Sequence, residues 1–271
     1  MVQLHVSWMQ KSPTPPPGYR YGPNYRPSWA NVLRGIYYIA RGQPRSLAHD
    51  TLWAMANMPL PARVRGADLI PERGPFVVVA NHYERPGLWM AWPAMFVAHV
   101  IQERTGQDIH WIAIEEWESF SLWRLPIPAS LIRQVFQRTF NAYGILAMSP
   151  PDAPAAARAR SMRIATQEIK EGGIIGLMPE GDVGPTPELL QAREGAGAFL
   201  LLLAAAGACI LPVGLYEEGD HLITHVGPPF DLVPAREIPK DERDRWVRDR
   251  VMLSLRDLLP EPLWGVYRNR E

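Results

Sequence analysis

Two short stretches hold the side chains best suited to chemistry. FVVVANHYERPG, Phe76 to Gly87, runs an apolar strand-like segment into Asn81 and His82, then into Glu84, Pro86 and Gly87. MPEGDVGP, Met178 to Pro185, sets Glu180 and Asp182 on either side of Gly181, again after an apolar run. An imidazole with an ordinary pKa of about 6.5 can take a proton near neutral pH, so a histidine ending a buried strand is a candidate general base. The plainer role for such a residue is to cap a helix or fill a hydrogen bond. Glycine turns free backbone N–H groups to hold an anion, and a carboxylate such as Glu180 can orient partners.

Other chemistries lack their residues. There is no G-x-S-x-G elbow for a serine hydrolase. Gly195 and Gly197 lack a third glycine and a preceding strand, so no dinucleotide fingerprint is formed and no cofactor is expected. One cysteine and scattered histidines give no zinc spacing, so no metal is expected either. Glu115, Glu116 and Glu118 read as a solvated turn. Trp89, Trp92, Trp111, Trp117 and Trp123 read as core, or as the wall of an apolar tunnel for a long chain.

The elements that must position these residues follow from hydrophobic pattern. Strands are expected at Val64 and nearby residues, Phe76–Ala80, Ile109–Glu115, Ala142–Met148, Ile174–Met178 and Cys209–Leu215, with HLITHVGPPF as a late strand or hairpin arm. Between them lie helical segments at Leu88–Glu103, Leu131–Phe140, Ala155–Glu171 and from about Gly195, with a last amphipathic helix over Asp241–Leu259. Strands alternating with helices predict an α/β fold, a mostly parallel central sheet covered by helices on both sides. In such a sheet ligands sit beyond the carboxyl ends of the strands, where His82 and Glu180 both fall. The uncharged run Gly195–Tyr216 approaches the length of a membrane span, about 20 residues. Gly207 and Pro212 divide it into a buried helix and a central strand.

Residues 1–27 read as an extended Pro-rich arm, 28–62 as a helical segment and 63–271 as the α/β domain. The helical segment carries Arg34, Arg41 and Arg45 among Trp29, Tyr37, Tyr38 and Trp53, which suits either a membrane surface or a cap on the core. Lys plus Arg equals Asp plus Glu, 28 each, so no nucleic-acid partner is expected. The N-terminus has no continuous apolar core of a signal peptide, and the lone Cys209 reads as a core thiol in a reducing compartment.

Taken in order, these stretches resemble the glycerolipid acyltransferase superfamily, of the lysophosphatidic-acid acyltransferase type. The likeness runs from about Val64 to Phe230, through VRGADLIPERGPFVVVANH, GGIIGLMPEG, REGAGAFLLLLAAAGACILPVGL and the Pro-Val-Gly turn at Pro212–Gly214. It implies transfer of a fatty acyl group from acyl-CoA or acyl-ACP, as co-substrate, to a hydroxyl of a lipid-like acceptor at a membrane. The place implied is the cytoplasmic face, peripheral to the bilayer. By the same resemblance His82 is the general base, Glu180 organises the acceptor site and a neighbouring arginine holds a phosphate. Asn81 and Gly181 beside them are candidate substrate-binding residues, and of Arg133, Arg138, Arg158, Arg160 and Arg193, all possible grips for a donor's phosphates, Arg193 is the candidate. Two positions depart from the family's pattern. Gly87 stands where an orienting Asp is usual, five residues after the histidine, and Asp182 and Val183 stand where Thr and a phosphate-binding Arg are usual. A replacement carboxylate is expected from Asp182 or, less directly, from Glu84. The alternatives are a His82 acting alone on an acceptor without phosphate, and a lipid-binding homologue that no longer catalyses.

Overall fold

Phe76–Ala80 (β2) and Ile174–Leu177 (β7) are buried at every position. Strands covered on both faces are built from continuous apolar, largely β-branched runs, and FVVVA and IIGL are such runs. A computed structural model of the chain describes residues 14–25, 28–56, 62–89, 91–114, 120–122, 125–127, 129–150, 152–233 and 238–270. With Ala62–Arg65 (β1), Ile109–Ile114 (β3), Leu146–Met148 (β6), Cys209–Glu218 (β8) and His221–Val226 (β9), the two central strands form a seven-stranded sheet. Its order is β1-β9-β8-β2-β7-β3-β6. A small antiparallel hairpin, Phe120–Leu122 (β4) with Leu125–Ile127 (β5), stands apart and was not expected from the pattern.

Pairing is parallel from β8 through β2, β7 and β3 to β6. Helices Ala91–Thr105 (α3), Ala129–Tyr143 (α4), Ala155–Lys170 (α5) and Ala196–Ala205 (α6) make the crossovers, so the carboxyl ends of these five strands share one edge. The α/β expectation therefore holds. β9 turns back antiparallel on β8 and pairs parallel with β1. The last helix, Arg243–Arg256 (α7), buries Val247, Val251 and Leu255 and packs on α6.

Several boundaries differ from the sequence expectation for local reasons. β6 starts at Leu146 because Ala142 and Tyr143 complete α4, which stops where Gly144 takes φ +63°. β8 runs on to Glu218 because β9 gives its second half a partner. α3 starts at Ala91 because Leu88 turns back to exchange backbone hydrogen bonds with Arg85. Gly195–Tyr216 divides into α6 and β8 as its glycines suggest, and among the described residues no helix is long and apolar enough to cross a membrane. Cys209 opens β8 only partly buried.

The N-terminal segment forms Trp29–Ala40 (α1) and Leu47–Ala56 (α2). Arg45 joins them to the domain. Its guanidinium pairs with buried Asp50, which also accepts the Tyr143 hydroxyl at 2.7 Å, and its backbone N–H donates to Ala142 at 2.6 Å. Arg45 is therefore occupied inside the fold, whereas Arg34 stacks on Trp53 at 3.9 Å and Arg41 stays exposed.

Candidate active site

Parallel register decides which residues meet beyond the sheet. Val79 of β2 is paired with Leu177 of β7, so three residues further along each strand His82 and Glu180 leave the edge side by side. The Glu180 carboxylate makes this contact specific. Its Oε1 accepts the His82 backbone N–H at 2.7 Å, and its Oε2 accepts the Leu190 backbone N–H at 2.8 Å. One buried side chain thus ties the turn after β2 to the turn after β7 and to the segment that leads into α6.

The His82 ring lies against the same carboxylate, with Nδ1 3.8 Å from Oε1. Nδ1 is sealed from solvent and finds no hydrogen-bond partner among the described residues. The side chain keeps 10% exposure, none of it at Nδ1. Burial drives the His82 pKa down to about 4, only partly opposed by the Asp182 charge, so the ring is a neutral imidazole. Burial drives Glu180 the other way, up to about 7, against the two backbone N–H groups that favour its charged form.

The remaining expected site residues fall in definite places. Asn81 is committed to β8: its amide donates to the Leu215 carbonyl at 2.9 Å and its side-chain oxygen accepts the Leu215 N–H at 2.7 Å. That pairing extends the β2–β8 ladder by one rung, a structural use of the carboxamide that leaves little of it for a substrate. Asp182 is exposed, and its Oδ1 accepts the neighbouring Val183 N–H at 2.7 Å. It acts on His82 through charge and not through contact, while Glu180 is the carboxylate at the ring. Glu84 is half-buried in the turn after His82. Gly181 takes φ +65°, and a Cβ there would come within 2.8 Å of Arg193 Cδ, so the arginine stem crosses the turn after Glu180. The Arg193 backbone N–H fixes that placement by donating to Pro179 at 2.8 Å. An arginine far along the chain thus reaches the turn in which Val183 offers no charge. Trp111 is buried over Gly176, where any Cβ would strike its ring, whereas Trp89 is exposed. Glu115, Glu116, Glu118, Trp117 and Trp123 lie outside the described residues.

A second buried assembly fixes the loop that follows His82, built from residues too far apart in the chain for pattern to pair them. Arg85 and Glu217 form a pair with both side chains fully buried, at 2.6 Å and 3.0 Å. Glu217 also accepts the Tyr83 hydroxyl at 2.8 Å and the Gly22 backbone N–H at 3.2 Å. Tyr19 bonds the Tyr83 hydroxyl at 2.8 Å and takes the Glu217 backbone N–H at 2.7 Å. Arg85 reaches on to the Pro23 and Pro86 carbonyls at 2.8 Å and 2.7 Å. Residues 19–25 of the Pro-rich arm are therefore packed onto the carboxyl edge, with Tyr19 and Tyr25 buried.

The arm also accounts for the glycine at position 87. Gly87 takes φ +83°, its carbonyl accepts the Tyr25 N–H at 2.6 Å, and a Cβ on it would overlap the Asn24 side chain. No L-residue with a side chain fits there without strain. Two clefts, about 750 Å³ on the outer face of α5 and about 620 Å³ between the arm and the β8–β9 turn, do not include His82, so chemistry and not cavity size marks this site.

The acyltransferase family model matches residues 61–216, more than half of the chain, and the protein belongs to that family. The match includes β2 with His82, β7 with Glu180, and β8 as far as Tyr216. Among solved structures, the 1-acyl-sn-glycerophosphate (LPA) acyltransferase PlsC from Thermotoga maritima is similar over 85% of this chain and 87% of that chain, at 16% identity and a TM-score of 0.49. No curated protein matches the sequence.

Two outcomes follow for the loop. Arg85→Ala strands a buried carboxylate and should cost about 3–5 kcal/mol in chemical unfolding. A loss under 1 kcal/mol would mean that the pair does not hold the loop. Gly87→Asp, which restores the family's acid by sequence, should lower both thermal stability and activity; a gain in activity would show that the arm yields to it.

Proposed function

We propose that the protein transfers a fatty acyl group from a thioester, acyl-CoA or acyl-ACP, to a hydroxyl of a glycerolipid or other lipid-like acceptor, with His82 as general base. Family membership supports the reaction class, and the neutral His82 ring at the carboxyl edge supports the base. Nε2 takes the proton of the acceptor hydroxyl as its oxygen bonds to the thioester carbonyl carbon. The C–S bond then breaks, and the departing thiolate takes the proton from the imidazolium. One alcohol and one thioester become one ester and one thiol. Arg193, crossing the turn at Gly181, is the residue proposed to meet a phosphate of donor or acceptor.

The acyl chain and acceptor both partition into membranes, and the surface offers a matching face. On α1, Leu33, Ile36 and Tyr37 are 63%, 56% and 54% exposed; on α4, Leu131 and Val135 are 51% and 53% exposed. The two helices touch and carry Arg34, Arg133 and Arg138 but no acidic residue. Apolar side chains interleaved with cations alone suit an anionic bilayer surface. The reading places the protein peripheral to the cytoplasmic face of a membrane.

The gap at Gly87 favours one competitor, a homologue that binds acyl chains without transferring them. A single assay separates the two. Purified protein given radiolabelled acyl-CoA or acyl-ACP and a panel of lipid alcohols should form labelled ester, and His82→Ala should reduce it by at least about 10³-fold. Saturable binding with no ester would leave only the competitor. Sedimentation with vesicles of phosphatidylcholine and phosphatidylglycerol should retain wild-type protein in a salt-dependent way, and Val135→Glu should weaken retention about tenfold. Equal retention of both proteins would remove α4 from the membrane surface.

A further inference from the structure

A buried neutral imidazole is a poor base unless some group carries the charge it gains. The acid that the family places five residues after its histidine is absent at Gly87, and the arm fills the space it would need. We propose that Glu180, supplied by the neighbouring strand, is the positioning carboxylate for His82 in place of that acid. The inference rests on the acyl-transfer reading and concerns how its base is oriented.

Geometry carries the argument. Nδ1 is sealed from solvent and finds no hydrogen-bond partner among the described residues, and the Glu180 Oε1 lies 3.8 Å from it. A hydrogen bond needs about 3.2 Å or less, so a small turn of the ring closes the pair. Catalytic hydrogen bonds are often long in an empty site and tighten around substrate. The carboxylate itself cannot drift, because its two oxygens hold the His82 and Leu190 backbone N–H groups. When Glu180 is ionised, Nδ1 is the ring position that carries the proton, and Nε2 presents its lone pair outward. When Glu180 is protonated, its O–H can donate to Nδ1, which moves the ring proton to Nε2 and removes the base.

Other charges around the pair do not take this role. Asp182 is exposed and bonded to Val183, Arg85 and Glu217 are paired with each other on the β8 side, and Arg193 lies over Gly181. Glu84 shares the turn but is not the carboxylate at Nδ1. The sign of the pH dependence follows from the burial of Glu180, which lifts its titration to about 7. Turnover should rise with pH and level off above about 7, where Glu180 is charged. The His82 transition, near 4, lies well below that limb.

The experiment pairs spectroscopy with kinetics. Nitrogen NMR of protein carrying ¹⁵N-histidine, assigned by His82→Ala, should show the Nδ1–H tautomer of His82 above pH 7 and a change of tautomer as pH falls through 7. Glu180→Gln should abolish that change, lower kcat by about 10³-fold with KM altered less than threefold, and flatten the pH limb. Asp182→Asn and Glu84→Gln should keep the limb. A wild-type tautomer that does not respond near pH 7, or a limb lost in Asp182→Asn and kept in Glu180→Gln, would overturn the proposal. The wild-type titration needs neither turnover nor a stable variant. It decides the role of Glu180 even if the protein transfers no acyl group, or if Glu180→Gln does not fold.

Discussion

One carboxylate holds the candidate site together. Glu180 receives a backbone N–H from the turn after β2 and another from the segment before α6, and so converts sheet register into a fixed meeting of two loops. The cost is a buried acid whose charged form is disfavoured by desolvation. A structural tie alone would need no charge, since a neutral amide or hydroxyl can accept one N–H as well. A carboxylate placed there, against an imidazole, also suits the proposed chemistry at the ring.

The rest of the edge is built to keep that meeting rigid. Arg85, Glu217, Tyr83 and Tyr19 satisfy one another out of water, and the arm contributes backbone groups from Gly22 and Pro23. Buried ion pairs of this kind are costly to break and specify geometry more than they add stability. Here the geometry they specify is the course of the chain from His82 to Leu88. Residues 19–25 of the arm are thus part of the scaffold of the candidate site, on the same footing as the sheet.

What could be read from the sequence was whatever depends on neighbours in the chain. FVVVA and IIGL announce buried parallel strands, the glycines at 195 and 207 bracket α6, and His82 at a strand's end marks the edge where chemistry belongs. Contacts between residues distant in sequence were not readable. Nothing in YERPG shows that Arg85 will be buried, because its partner lies 132 residues away. Nothing shows that Asn24 will sit on Gly87 and leave no room for a side chain there. Asp182 is the replacement expected from sequence because its loop and that of His82 share one sheet edge. Only the pairing of Val79 with Leu177 reveals that Glu180, three residues past the strand, keeps step with His82 while Asp182 has already turned into solvent. The pairing of Asn81 with Leu215 was unreadable for a similar reason, since it depends on the β8 backbone alongside.

The account turns on the His82 ring closing onto Glu180 when a substrate is in place. A crystal structure with a non-hydrolysable thioether analogue of the donor and a lipid alcohol bound would show this directly. The separation between Nδ1 and Oε1, here 3.8 Å, should fall to about 3 Å, with the alcohol oxygen on Nε2. A ring swung away from Glu180, or an alcohol bound nowhere near Nε2, would contradict it.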